Sequence, residues 1–333
     1  MPIRSSNALA ITVASALGVA VALLIAIVDF AALDAGTLTK FTGLDAAIRL
    51  PSVAWSVIFF AVMLTFAVSH LAGARFPHGL HVAAIVVAAL GTLYQLAAVI
   101  FGISWYTVVL LLVALATLYF TIRACRAGKS ADDAPQIERT SRTWVLGAFL
   151  VIAGVAGLLA AYSLSVDKVV AIIDPGARQG CDFSIFVQCS KNLGSWQGSL
   201  FGFPNPLIGL GGFAVPLVIG VAILAGARFA RWFWVAFNLG VVFALLFVGF
   251  LIGTSVYALH TLCPWCALVW TVTIPMFWLV SLYNLKSGNI QVSPRAKAFY
   301  NGAYGWLPLI TLLSYVIVAV LFQVNLNVLK YLT

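Results

Sequence analysis

His260-Thr261-Leu262-Cys263-Pro264-Trp265-Cys266-Ala267-Leu268-Val269-Trp270-Thr271-Val272-Thr273-Ile274-Pro275-Met276-Phe277-Trp278-Leu279-Val280-Ser281-Leu282-Tyr283-Asn284 is the stretch that decides the architecture. From Cys263 onward it carries no charged side chain, and an apolar run of roughly 20 residues is what an α-helix needs to cross the hydrocarbon core of a bilayer. The run opens on a Cys-x-x-Cys pair, so one segment supplies both a membrane span and a redox-capable motif. Comparable runs recur along a chain of 333 residues that is 63% hydrophobic and 8% charged, against roughly 45–50% and 25% in soluble domains. The pattern predicts an all-α polytopic membrane protein with about nine transmembrane helices, at about 8–33, 53–73, 80–101, 103–122, 144–165, 205–226, 231–258, 264–284 and 303–326. The first run is too long for the core of a signal peptide and lacks a small-residue cleavage site, so it is expected to persist as a helix.

The net charge of +9 does not point to nucleic acid, because the basic residues follow topology and do not gather in a patch. With a cytoplasmic N-terminus, twelve of the 18 Lys and Arg residues fall inside: Arg4, Arg75, Arg123, Arg126, Lys129, Arg139, Arg142, Arg228, Arg231, Lys286, Arg295 and Lys297. Lys40, Arg49, Lys168, Arg178, Lys191 and Lys330 fall outside. That asymmetry agrees with the positive-inside rule, and the reverse orientation inverts it. The loop 166–204 and the start of the eighth span then face the exported side of the plasma membrane, where disulfides form and persist. Cys181, Cys189, Cys263 and Cys266 all lie on that side. Cys125, in Arg-Ala-Cys-Arg-Ala on the cytoplasmic side, reads as a bystander thiol.

A polar stretch at 123–143 reads as a cytoplasmic linker. It separates a four-span module, 1–122, whose role is not legible, from 144–284, which holds the paired cysteines, and from an additional span within 285–333. Asp29 and His70 are ionisable residues near span ends, positions from which they can snorkel to the interface. Gln95, beside Tyr94, fits a helix-packing hydrogen bond as well as a functional role.

Thiol–disulfide exchange proceeds by thiolate attack through a mixed disulfide, so reacting sulfurs must meet directly. At i and i+3 Cys263 and Cys266 share one helix face, with Cys266 one turn deeper, about 4.5 Å at 1.5 Å per residue. The positive end of the helix favours thiolate, and Pro264 in the first turn costs no backbone hydrogen bond. Cys263 is therefore expected to face outward and Cys266 toward the membrane. Cys181 and Cys189 are eight residues apart in a loop with Gly176, Gly180 and Gly194. That spacing permits an internal disulfide and leaves slack for one sulfur to swing to the helix pair. Two static disulfides holding a membrane scaffold or transporter are an alternative. A four-cysteine zinc site normally joins two close-spaced pairs, and only one exists here. Haem attachment needs a histidine where Ala267 stands.

Together these residues resemble the vitamin K epoxide reductase (VKOR) family, whose bacterial members re-oxidise thioredoxin-like disulfide-forming proteins with a membrane quinone. The resemblance covers about 144–284. Ser195, six residues after Cys189, stands where the family has a loop serine. Gly202-Phe203-Pro204-Asn205-Pro206-Leu207-Ile208-Gly209 resembles the segment entering the family's second helix, with Asn205 on its quinone-binding asparagine. Cys263-Pro264-Trp265-Cys266 falls on its active-site pair. The disulfide-bond oxidase of enteric bacteria carries its Cys-x-x-Cys in the first outer loop, so the order here fits the VKOR family better.

The resemblance implies a four-helix bundle around a quinone, menaquinone or ubiquinone, capped by the loop 166–204. It implies that Cys181 is attacked by the partner's thiol, that Cys189 passes electrons to Cys263, and that Cys266 reduces the quinone. Asn205 would bond a quinone carbonyl and Ser195 would line or support the cap. Trp270 replaces a tyrosine that several members direct at the quinone, leaving an indole N–H as the donor. Many bacterial members carry a fused thioredoxin-like domain, whereas only about ten residues follow the last span, so the implied partner is a separate exported thioredoxin-like protein. Reduction of a quinone or quinone epoxide with thiols as mere electron source is the alternative activity.

Overall fold

The structure is a computed structural model that describes residues 5–34, 43–71, 76, 78–101, 105–127, 141–174, 176, 179–184 and 187–326. The side chains of Asp29 and Cys125, and linker residues 128–140, lie outside the described residues. Within them the chain forms α1 (Ser5–Asp34), α2 (Gly43–Leu71), α3 (His78–Phe101), α4 (Trp105–Ala127), α5 (Ser141–Ile173), the short α6 (Ser190–Gly194), α7 (Asn205–Leu224), α8 (Arg231–Gly253), α9 (Pro264–Ser287), α10 (Pro294–Gly305) and α11 (Leu307–Leu326). A 3₁₀ turn, Trp196–Ser199, follows α6, and a π-helical turn, Thr254–Leu259, ends α8. Among the described residues, nine of these helices are long and apolar enough to cross a membrane: α1 to α5, α7, α8 with its π-turn, α9 and α11. The protein is an all-α polytopic membrane protein.

One compact unit comprises residues 1–158 and 201–230. In it α1 packs on α2 and α4, α3 on α2 and α4, and α7 on α2. Interhelical hydrogen bonds join these apolar helices where no water competes. Gln95 Nε2 donates to Ser56 Oγ at 2.7 Å, linking α3 to α2. Thr92 Oγ1 reaches the carbonyl of Ala114 on α4 at 3.3 Å. The first part of α5 meets α7 almost backbone to backbone: a Cβ at Gly154 would stand 2.7 Å from the Leu217 nitrogen, and one at Gly220 2.7 Å from the Gly147 carbonyl. His70 does not snorkel as its position suggested. Its ring packs edge-on against Phe66 and Phe76, with centroids 4.6 and 4.5 Å away, and its Nε2 is buried with no hydrogen-bond partner among the described residues.

The second unit comprises residues 159–200 and 231–333. Here α8, α10 and α11 all pack on α9, and α11 also meets the π-turn. Val248, Ile252, Val256, Trp270, Ile274, Phe322 and Leu326 form its apolar core. Tyr315 donates to the Thr271 carbonyl at 2.5 Å and Trp278 Nε1 to Ser314 Oγ at 3.1 Å, so the last span is docked on α9. The boundaries differ from the hydropathy pattern at several places: α2 starts at Gly43, ten residues early, and α4 runs on to Ala127. Residues 303–305 end α10 instead of opening α11. The α5 helix runs to Ile173, past the Asp167-Lys168 pair that marked its end by hydropathy; Lys168 donates to the Leu193 carbonyl and Asp167 lies against Cys181 in the loop that follows.

Candidate active site

The site begins where α8 loses its regular winding. The π-turn Thr254–Leu259 ends at His260, which takes the left-handed conformation with φ 52°, a geometry disfavoured by roughly 1–2 kcal/mol for a residue with a Cβ. The Thr261 N–H closes back on the Ser255 carbonyl at 3.1 Å. Leu262 emerges extended and forms an isolated parallel β-bridge with Val187, in which the Gln188 N–H donates to the Leu262 carbonyl at 3.2 Å. This one bridge sets the register between loop and helix start and brings Cys189 beside Cys263.

The two sulfurs lie 3.1 Å apart, and both residues are completely buried, at 0% exposure. Cys189 is disulfide-bonded to Cys181, with the Cα atoms 5.8 Å apart, a normal span for such a bridge. Cys263 and Cys266 are free thiols. Cys263 caps α9, its sulfur accepting from the Cys266 N–H at 3.4 Å. Four sulfurs are thus gathered with Leu164, Leu193 and Trp265 in one apolar cluster.

Polar contacts hold the loop on this cluster. Asp182 Oδ1 accepts from the backbone N–H groups of Cys189 and Ser190 at 2.7 and 3.2 Å. Lys168 Nζ donates to the Leu193 carbonyl at 2.8 Å. Asp167 Oδ2 lies 3.4 Å from Cys181 Sγ. Asp167, Cys181 and Cys189 place their side-chain ligand atoms within 4.8 Å of one another, but with the sulfurs bonded together the group is a carboxylate beside a disulfide. Asn192 Nδ2 donates to Ser255 Oγ at 3.3 Å and stands 4.0 Å from Cys266 Sγ.

Cys263 meets the loop's Cys189 and is buried there. Cys181 is also covered, at 2% exposure. The loop keeps no slack for Cys189 to swing: the bridge and Asp182 already seat it. Ser195 donates to the Asn192 carbonyl at 2.8 Å and accepts from the Gly198 N–H at 3.2 Å, so its hydroxyl joins α6 to the 3₁₀ turn. Trp270 is buried, its ring 5.8 Å from that of Phe322. Its Nε1 and the hydroxyl of Thr273 are buried without hydrogen-bond partners among the described residues. At i, i+4 and i+7, Cys266, Trp270 and Thr273 share one face of α9. Asn205 is the first residue of α7 and is buried; it belongs to the other compact unit. Asp182, Asn192, Ser255 and Thr273 were not singled out by sequence. The only signal for the first two was proximity, one residue after Cys181 and three after Cys189.

The hydrogen bond from the Cys266 thiol holds the Cys263 thiol below its ordinary pKa, helped by the backbone N–H groups of Cys266 and Trp265 and opposed by burial and the Asp167 carboxylate. Its thiolate is therefore populated at lower pH than that of a free cysteine, near 8.5. With Cys181–Cys189 oxidised, labelling of Cys263 by a small thiosulfonate should reach half its limiting rate at a lower pH than labelling of a free cysteine does. A midpoint at or above that of a free cysteine contradicts the assignment.

The family comparison bears on this same region. Residues 148–281 match the model of the Vitamin K epoxide reductase family. No curated protein and no solved structure matches significantly. The matched residues contain all four clustered sulfurs, so the part of the chain that holds the site, residues 148–281, is similar to the Vitamin K epoxide reductase family.

Proposed function

We propose that the protein re-oxidises an exported thioredoxin-like protein and passes the electrons through Cys181/Cys189 and Cys263/Cys266 to a membrane quinone, supporting disulfide formation. The observation that carries this is the 3.1 Å approach of Cys263 Sγ to Cys189 Sγ while Cys189 is still bonded to Cys181. Two static disulfides would leave Cys263 and Cys266 bonded, whereas here both are free thiols and Cys263 touches the Cys181–Cys189 disulfide.

The steps balance as follows. A partner thiolate attacks Cys181, the Cys181–Cys189 bond breaks, and Cys189 leaves as thiolate. The partner's second thiol attacks the mixed disulfide and departs with a disulfide of its own. Cys189 then attacks Cys263 of an oxidised Cys263–Cys266 pair, and Cys266 takes the electron pair as leaving group. Cys181 resolves the Cys189–Cys263 bond, which restores the loop disulfide and leaves Cys263 and Cys266 reduced. That is the combination of redox states in the structure. A quinone, menaquinone or ubiquinone, supplies the acceptor for two electrons and two protons. Trp270 Nε1–H, buried without a hydrogen-bond partner among the described residues, fits a quinone carbonyl; the Asn205 amide is of a type that can donate to such a carbonyl too, and Ser195 supports the cap.

Charge asymmetry supports a cytoplasmic N-terminus and cysteines on the exported side of the plasma membrane. We assign catalysis to 144–284, with 1–122, the 123–143 linker and 285–333 flanking it. Because Cys181 is buried, the segment around it must part from α5 when the partner docks.

Trapping tests this. With the Cys181–Cys189 bond intact, a thioredoxin-like protein that keeps only its attacking cysteine should break that bond, release Cys189 as thiolate and stay joined to Cys181, in an adduct identified by peptide mass spectrometry. Absence of that adduct, with partner oxidation intact, overturns the proposal. Appreciable turnover of a quinone epoxide with small thiols and no partner favours the alternative that the family's name suggests, quinone-epoxide reduction.

A further inference from the structure

Asn192 has no part in the scheme above, yet its side chain reaches the sulfur of Cys266. We infer that the Asn192 amide is the hydrogen-bond donor that stabilises Cys266 as a thiolate when the Cys263–Cys266 bond breaks, and that Ser255 positions it. The inference rests on the relay proposed above and adds a group acting on its leaving sulfur.

Asn192 Nδ2 lies 3.3 Å from Ser255 Oγ and 4.0 Å from Cys266 Sγ. An amide nitrogen carries two hydrogens, so one can serve the hydroxyl and the other the sulfur. Asn192 is 7% exposed and Ser255 0%; a buried amide is costly unless bonded, which fixes this side chain in one orientation. Its backbone is fixed too, because the Asn192 carbonyl accepts from both the hydroxyl and the N–H of Ser195. Ser255 belongs to the π-turn, a rare winding that tends to mark functional positions.

Chemistry says what such a donor is for. When Cys189 attacks Cys263, the Cys189–Cys263 bond forms, the Cys263–Cys266 bond breaks, and the electron pair goes to Cys266. Exchange is faster when the leaving sulfur is a more stable thiolate. Cys266 otherwise packs against apolar and sulfur neighbours, Leu164, Leu193 and Cys263 among them, and such surroundings disfavour charge. A hydrogen bond to a charged acceptor is stronger than one to a neutral group, so this donor acts more on the departing thiolate than on the disulfide it leaves.

The test uses full-length protein in Cys181→Ala background, so that the Cys189–Cys263 mixed disulfide accumulates and can be timed after the inner pair is oxidised. Asn192→Leu should slow its formation about tenfold, and Ser255→Ala about threefold, the scale of one charge-assisted hydrogen bond. The ultraviolet thiolate absorbance of the product should fall in parallel, a signature that loss of packing alone does not produce. Asn192→Asp keeps the shape, removes the donor and guards against misfolding of the leucine variant; it should be slowed at least as much. Wild-type rates and absorbance in Asn192→Asp overturn the inference while leaving the relay intact. No Cys189–Cys263 bond in the Cys181→Ala parent overturns the relay itself and the inference with it.

Discussion

Cys266→Ala is expected to abolish turnover and to leave a Cys189–Cys263 bond behind. In the structure Cys263 already touches the sulfur of Cys189 at 3.1 Å. Attack by Cys263 on Cys189 releases Cys181, and in the wild type Cys266 can then resolve the mixed disulfide from the inner side. Without Cys266 only Cys181 can break that bond, by returning to the starting state, and no electrons move on. Partner oxidation coupled to quinone should fall at least about 10³-fold, in keeping with the loss of an obligatory nucleophile. Peptide mapping under non-reducing conditions should find Cys189 joined to Cys263. Near-normal quinone reduction by this variant in purified membranes sinks the relay. A variant that is inactive but never forms the Cys189–Cys263 bond retains a role for Cys266 and removes the proposed order of the sulfurs.

What was legible from sequence, and what was not, follows from where each property originates. Hydropathy is local, so nine spans could be counted before any coordinates, and the Cys263-Pro264-Trp265-Cys266 pair could be put at a helix start because proline and a capping residue act within one turn. The site's geometry is not local. Asp167 and Lys168 signal a helix end by charge, but α5 continues through them, and they meet Cys181 and Leu193 in the loop that follows. The bridge of Val187 to Leu262 joins residues that sequence spacing does not connect, and it is what seats Cys189 on Cys263. Burial of Cys181 and Cys263 comes from the same docking, which no local sequence pattern reports. His70 illustrates the reverse error: end-of-span position suggested an interface, and two phenylalanines made it a packed ring instead. Asn192 was the least visible, since an asparagine in a polar loop carries no signal until Ser255 and Cys266 are found beside it.

Asp182 should prove the most sensitive of the residues that are not cysteines. Cys189 sits at the start of α6 but makes no side-chain cap of its own; its sulfur is committed to Cys181 and packed on Cys263. Capping falls to Asp182, whose Oδ1 accepts from the N–H groups of Cys189 at 2.7 Å and Ser190 at 3.2 Å. Asp182→Ala leaves both donors without that acceptor, and each partly buried loss costs about 1–3 kcal/mol, more toward the upper end because the acceptor is a carboxylate. The energy is drawn from the docking of the loop, not from the membrane helices, so the spans should remain folded. The displaced atom is the backbone nitrogen of a reacting residue, and a misplacement of about 1 Å at reacting atoms can cost roughly 10²-fold in rate. Formation of the Cys189–Cys263 bond should therefore slow about 100-fold in Asp182→Ala. Asp182→Asn, which keeps an acceptor oxygen but loses the charge, should retain about a tenth of the rate, on the scale of one charge-assisted hydrogen bond. Timed quenching with an alkylating reagent reads both rates directly. An alanine variant that exchanges as fast as wild type means that the β-bridge at Leu262 alone seats Cys189, and the carboxylate is then dispensable.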